Sequence, residues 1–430
     1  MPSEKIHELI MVKKLLLSLV SCGFIFQLKA QNTKVKDSAF IVKKDTIVPK
    51  KVLKQIHLDA LPYYNFGKGV GITAPDSLFQ FNIRFRMQNR LEADFSEHHP
   101  TEYKAAIRRL RLRFDGYVGN PKFLYAIQLS FAPDDVGKIK DGSYLNVIRD
   151  AMVFYRANDE LTLGFGQTKL PGNRQRTNSS GALDLTDRSI NNAMFNIDRD
   201  FGLQAIYTKF PKNQTWGYRL KAAISTGEGR NFNSTTDGLA YTGRLELYPL
   251  GKFKKNGEFF EGDLQRETTP KLYLGATYHY NQKAIFAQGQ RGNKLFESRD
   301  LQSIFIDGMM KYQGWSAVVA YMTRQAQNPI TYSADLSKAV PVLSGYGYDT
   351  QLSYMFPKNW ELIGRYSYNQ PKKEIQNLVP IHHQYSFGLT KYIWEHAFKV
   401  QLEVSKNNQF FLDGRTHHNW YTRFQVEIGI

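Results

Sequence analysis

Arginines recur at every second position, with one gap, in two neighbouring stretches of this chain: Arg84, Arg86 and Arg90 in one, Arg109, Arg111 and Arg113 in the other. A guanidinium stays charged at all physiological pH values and offers a planar fork of N–H donors, matched to the paired oxygens of phosphate or carboxylate. Even-numbered spacing puts each set on one face of an extended strand. Such a face either lines a hydrated passage that attracts anions or braces a wall through Glu92, Asp94, Asp115 and Asp150. Three adjacent arginines buried without partners in a soluble protein would cost on the order of several kcal/mol each. In a water-filled lumen most of that cost disappears. Five further cations, Lys169, Arg174, Arg176, Arg188 and Arg199, lie in or beside the longest connection, residues 171–200. If that segment folds inward, they are candidates for a constriction.

Residues suited to catalysis are scarce. His98-His99, His382-His383 and His417-His418 are adjacent pairs at expected strand ends or turns. Neighbours on a strand point to opposite faces, so each pair is a poor chelate. His7-Glu8 lacks the second histidine of a metalloprotease helix, and neither a Gly-x-Ser-x-Gly elbow nor a phosphate-cradling loop occurs. The single cysteine, Cys22, excludes a disulfide framework and any zinc site built on several thiolates. These features predict no enzymatic activity, no metal and no cofactor. A nucleic-acid role is disfavoured too, because the aromatic residues alternate to the strand face opposite the arginines.

The elements that must carry these arginines read as long strands. From Phe79 one face holds Phe79, Phe81, Ile83, Phe85, Met87, Leu91, Ala93 and Phe95, broken only by Asn89. The other holds Gln80, Asn82, the three arginines, Gln88, Glu92 and Asp94. Alternation over that length far exceeds the usual strand of about 5–6 residues. Similar runs follow, among them Leu110/Leu112/Phe114, Leu272/Leu274/Ala276/Tyr278, Leu352/Tyr354/Phe356 and Phe424/Val426/Ile428. With weaker runs at 146–157, 201–210 and 314–324 they total about sixteen, or roughly 23 residues for each strand and its connection. Tyr and Phe often open or close the apolar stripe, as aromatic girdles at two interfaces require.

Mean hydropathy is −0.45 and no apolar block of membrane-helix length follows residue 30, which argues against a helical membrane protein. The expected fold is therefore all-β: a transmembrane antiparallel up-and-down barrel of about sixteen strands over residues 65–430. Short turns at 119–121, 211–213, 357–359 and 395–396 and long connections at 171–200, 226–238, 251–269 and 324–345 predict short periplasmic turns opposite long outer loops. Ahead of the barrel, Lys13-Lys14 and the apolar run to Phe26, closed by Ala30, predict a cleavable export signal over residues 1–30. Lipidation at Cys22 is the competing reading. Residues 31–64 are then a flexible Lys-rich periplasmic tail.

Ordered pieces of this chain resemble the phosphate-selective porin O/P family. They are Gly71-Ile72-Thr73-Ala74-Pro75-Asp76-Ser77-Leu78-Phe79, the arginine-rich Arg108–Gly116, Asp150-Ala151 with Gly166–Pro171, Asp187-Arg188-Ser189, Arg199–Gly202 and Gly243–Pro249. The resemblance implies a sixteen-stranded bacterial outer-membrane porin, usually a homotrimer set in outer-membrane lipid, passing phosphate or other small anions. Two other readings stay open. One is a plugged outer-membrane binding barrel or surface adhesin; the other is a secreted soluble β-sandwich.

Overall fold

The structure, a computed structural model, describes residues 69–97, 99–136, 146–232 and 238–430. The expected export signal, the Lys-rich tail and His98 lie outside the described residues.

Nineteen strands follow in order among the described residues: β1 (Val70–Thr73), β2 (Phe79–Ser96), β3 (Glu102–Val118), β4 (Asn120–Ser130), β5 (Ile148–Arg156), β6 (Leu161–Lys169), β7 (Arg199–Lys209), β8 (Gly217–Ser225), β9 (Ala240–Tyr248), β10 (Lys271–Phe286), β11 (Lys294–Tyr312), β12 (Trp315–Gln325), β13 (Ile330–Tyr332), β14 (Ala339–Pro341), β15 (Gly345–Phe356), β16 (Trp360–Pro371), β17 (Ile381–Trp394), β18 (Phe398–Phe410) and β19 (Thr416–Gly429). Eleven of them, β2 to β12, and five more, β15 to β19, make the sixteen strands of the wall. Each pairs antiparallel with its neighbour in the chain, and β19 returns to β2. The sheet thus closes on itself and leaves no free edge, which excludes the sandwich. The short β1 pairs with the start of β2, and β13–β14 form a ribbon of their own.

The closing seam is polar on its inner side. Opposite one another stand Gln88 and Glu427, Arg90 and Gln425, and Glu92 and Arg423. Their side chains bond across it, Gln88 Nε2 to Glu427 Oε2 at 2.7 Å and Arg423 Nε to Glu92 Oε2 at 2.5 Å.

The period-two pattern sorts side chains as the sequence predicts. Leu245, Leu274, Ile306, Leu352 and Phe387 are exposed on the outside, whereas Arg84, Gln88, Arg244, Ser303, Gln351 and Gln401 are buried inside. A sheet that shows apolar groups outward and guanidiniums inward is stable only with hydrocarbon outside and polar partners within. Aromatic side chains collect at both ends of the outer face. Tyr346, Tyr348, Tyr366, Tyr368 and Tyr385 pack on each other at one end. Trp315, Tyr354 and Phe356 do so at the other, beside the exposed Trp360 and Trp394.

Connections alternate between the two ends of the barrel, and most of the long ones share one end. Turns 157–160, 313–314, 357–359 and 395–397 lie at one end, and the longer 170–198, 287–293, 326–344 and 372–380 lie at the other. Residues 249–270 join β9 to β10 at the turn end, despite their length. The expectation that every long connection sits at the loop end is corrected here: strand order, not length, decides the end.

Candidate functional site

The arginine face is built where β2 and β3 run side by side. Arg84 faces Arg113 and Arg86 faces Arg111 directly across the ladder. Like charges opposite one another destabilise a sheet unless something intervenes. Asp115 does so for the first pair. It bonds Arg84 and accepts from Arg113 Nε at 3.1 Å, and it is fully buried. For the second pair, Asp135 from the connection after β4 accepts from Arg111 Nη2 at 2.6 Å. Arg86 donates to two hydroxyls, Ser180 Oγ at 2.5 Å and Ser179 Oγ at 3.1 Å, and pairs with the buried Glu427 at 3.5 Å.

Those serines belong to residues 170–198, whose side chains and backbone reach across to wall strands β15 and β18. The segment is tied to wall strands far around the barrel. Thr186 donates N–H and Oγ1–H to Glu403 Oε2 at 2.8 and 2.6 Å, and Ser189 Oγ donates to Asp349 Oδ2 at 2.7 Å. Arg324 donates to the carbonyls of Met194, Phe195 and Asn196 at 2.8–3.0 Å and to that of Leu343 at 3.2 Å. Beneath this clamp Leu170, Met194, Phe195 and Ile197 pack on inward-facing Phe305 and Met322, so the lumen carries an apolar patch of its own.

Asp187 is the anionic tip of the crossing. Its carboxylate accepts from Arg108 Nη2 at 2.9 Å, from Arg109 Nη2 at 3.1 Å and from Arg90 Nη1 at 3.4 Å. Burial pushes its pKa up, but Arg109, Arg108 and Arg90 outweigh that and hold it well below the usual carboxylate range.

Two cavities remain on the arginine side. The outer one, about 1420 Å³, is lined by nine arginines (108, 109, 111, 149, 176, 188, 230, 291 and 423) against five carboxylates: Asp134, Asp135, Asp187, Asp198 and Glu228. The inner one, about 120 Å³, is lined by Arg84, Arg86, Arg111, Arg113, Arg199, Lys169 and Lys221, with Asp150 as its one carboxylate among the described residues. Arg111 lines both.

The structure therefore sorts the candidates. Arg84, Arg86, Arg111, Arg113, Lys169 and Arg199 surround the inner cavity. Arg109, Arg176 and Arg188 line the outer one. Arg90 lines neither cavity; it is pinned by Gln425 Oε1 at 2.9 Å and the Thr186 carbonyl at 2.6 Å. Arg174 also lines neither; it is buried and donates to the carbonyls of Phe260 and Glu258, joining two inward segments. Arg176 pairs with Asp198 and Arg199 with Asp150, while Lys169 Nζ donates to the carbonyls of Thr177 and Asn178.

Sequence reading missed Arg108 and Arg149, and for the same reason. Gln88 pairs with Arg109 and Asn89 with Ile107, so Arg108 is an extra residue in β3. Gln128 pairs with Asp150 and Leu129 with Ile148, so Arg149 is extra in β5. A bulge lets two successive side chains face the same way. Each bulge adds an inward arginine that strict alternation would assign to the outside. The visible signal is a polar doublet, Arg108-Arg109 and Arg149-Asp150, where one apolar residue is due. Lys221 and Arg423 were missed as well, although they needed no such device: they alternate with outward Leu220 and Phe424, and the period-two pattern could have found them.

An up-and-down barrel with a lumen-crossing connection is the architecture of outer-membrane porins, and solved structures agree on that fold. The outer-membrane channel DcaP of Acinetobacter baumannii matches with a TM-score of 0.50 at 10% identity, over 84% of this chain and 100% of that one. An anion-selective porin from Comamonas acidovorans matches with 0.50 at 9%, over 82% and 100%. OmpF of Salmonella typhi matches with 0.51 at 11%, over 83% and 100%. At these identities the likeness shows the fold. No curated protein sequence matches the chain. A family model decides the relationship: residues 81–407 match phosphate-selective porin O and P, and the chain belongs to that family.

Proposed function

We propose that this protein is an outer-membrane diffusion channel that passes small anions, phosphate-like oxyanions among them. The observation that carries the reading is the continuity of cationic lining from the outer cavity, through Arg111, to the inner one. Nine arginines around a wide vestibule raise the local anion concentration. Seven cations around a narrow chamber then replace part of the hydration shell. Family membership supports a channel rather than an enzyme, and a homotrimer in outer-membrane lipid is the assembly the resemblance implies.

The test is reconstitution in a planar bilayer. Conductance steps with a reversal potential favouring chloride and phosphate are the expected result; a reversal potential favouring potassium would reject the anion preference. One observation favours the second reading, a plugged binding barrel: the 170–198 connection is bonded to walls on opposite sides of the lumen. An absence of conductance from folded protein would select it.

A further inference from the structure

The segment 249–270 hangs from the turn end, where a short turn suffices to join two strands, yet it is long and much of it is buried. It runs past neighbouring turns: Arg266 Nη2 donates to the Phe356 carbonyl at 2.7 Å, and Gln313 N–H donates to the Glu267 carbonyl at 2.8 Å. Its middle then rises into the lumen. Lys311, inward-facing and buried on β11, donates through Nζ to the carbonyls of Gly257 at 2.8 Å and Gly262 at 2.6 Å.

There it meets the 170–198 connection, which descends from the opposite end. Gly262 N–H donates to Asp184 Oδ1 at 2.9 Å, Asp184 N–H donates to Glu261 Oε2 at 3.0 Å, and Gln351 Nε2 reaches Asp184 Oδ2 at 3.1 Å. Lys399 on β18 holds the other side of this joint through the carbonyls of Gly181 at 2.9 Å and Leu183 at 2.5 Å. Three wall cations of this half are thus spent on loop carbonyls: Lys311 and Lys399 here, Arg324 above. On the β2–β8 side, by contrast, Arg84, Arg86, Arg111, Arg113, Lys169, Arg199 and Lys221 border the inner cavity. The joint is close-packed: a Cβ at Gly262 would meet the Glu361 carboxylate and force it to move.

We propose that residues 249–270 are a second lumen plug which, bolted to the 170–198 connection at Asp184, confines permeating solute to the arginine-lined half of the barrel and so sets selectivity. Filling one half forces every ion past the cationic wall. Opening it would add a wider route whose wall charges are mixed, such as Lys311 and Lys399 with Asp349 and Glu361.

This inference rests on the channel reading, and single-channel recording separates the two. If the unmodified protein conducts nothing, the channel reading falls. If it conducts, two variants test the plug: K311M, and a chain in which residues 254–262 are replaced by a short Gly-Ser linker. Heat-modifiable mobility in SDS gels confirms that each is folded, and K311M keeps the whole segment should the linker variant not fold. The expected result is a roughly twofold or larger rise in conductance together with a weaker anion preference. A rise with undiminished anion preference would overturn the selectivity role, and unchanged conductance in the folded variants would overturn the plug.

Discussion

Arg84 and Arg111 stand one ladder step apart and do different work. Arg84 is 5% exposed and bonds a carboxylate, Asp115, that is fully buried. Removing it strands part of a buried charge, so R84A should cost up to about 3 kcal/mol of stability. Arg111 borders both cavities, and its partner Asp135 also pairs with Arg149 at 2.8 Å. R111A should therefore leave the melting temperature nearly unchanged while lowering the chloride-over-potassium permeability ratio. Thermal melting and reversal potentials on the two variants check this, and the opposite ordering would make Arg111 a brace. Asp187 supports a prediction about pH. Because three arginines hold its pKa below the ordinary value of about 4, its contribution to docking the crossing is in force above that value. It is lost only as pH falls through the depressed value. Selectivity should stay flat from neutrality down to about pH 4 and change in stronger acid, whereas D187N should show the changed state already at neutral pH.

Among the elements, β3 and β5 each carry a bulge, and together they supply four of the vestibule's nine arginines. A bulged residue is surplus to the ladder, so deleting it restores regular pairing without turning the rest of the strand over. Deletion of Arg108, or of Arg149, should give a folded, heat-modifiable barrel with reduced anion preference. Deletion of Leu110, in the regular part of β3, should reverse the faces beyond it and abolish folding; equal tolerance of both deletions would refute the bulge assignment. The same strands show what was readable beforehand. The alternation from Phe79 to Phe95 is a local property, and it located the wall and the inward face. A bulge is local too, but it shows only as a polar doublet in the sequence. The clamps were not legible. Arg86 bonds Ser180 and Lys399 bonds Leu183 across very long stretches of chain, and nothing near Lys399 distinguishes a clamp from a pore cation. Segment 249–270 was misplaced because length was used where counting strands was required: its end follows from β7, β8 and β9 each crossing once.

At the scale of the whole molecule the cation excess is a field rather than a set of contacts. The chain carries a formal charge of +18, and both cavity linings hold more cations than carboxylates. Screening lengths fall from about 10 Å at 0.1 M salt to about 3 Å at 1 M. Anion preference should accordingly weaken several-fold over that range if vestibule arginines act at a distance. A preference independent of salt would locate selectivity wholly in the inner chamber, where ions touch the wall. The seam between β2 and β19 has a different consequence, for biogenesis. Gln88, Arg90 and Glu92 are among the first wall residues synthesised, and their mates Glu427, Gln425 and Arg423 are among the last. While the nascent cylinder is still open, a cation and its neighbours stand at hydrocarbon depth with no complement. Insertion machinery must shelter that margin until the final hairpin arrives, so zippering the two margins together is the step most exposed to failure.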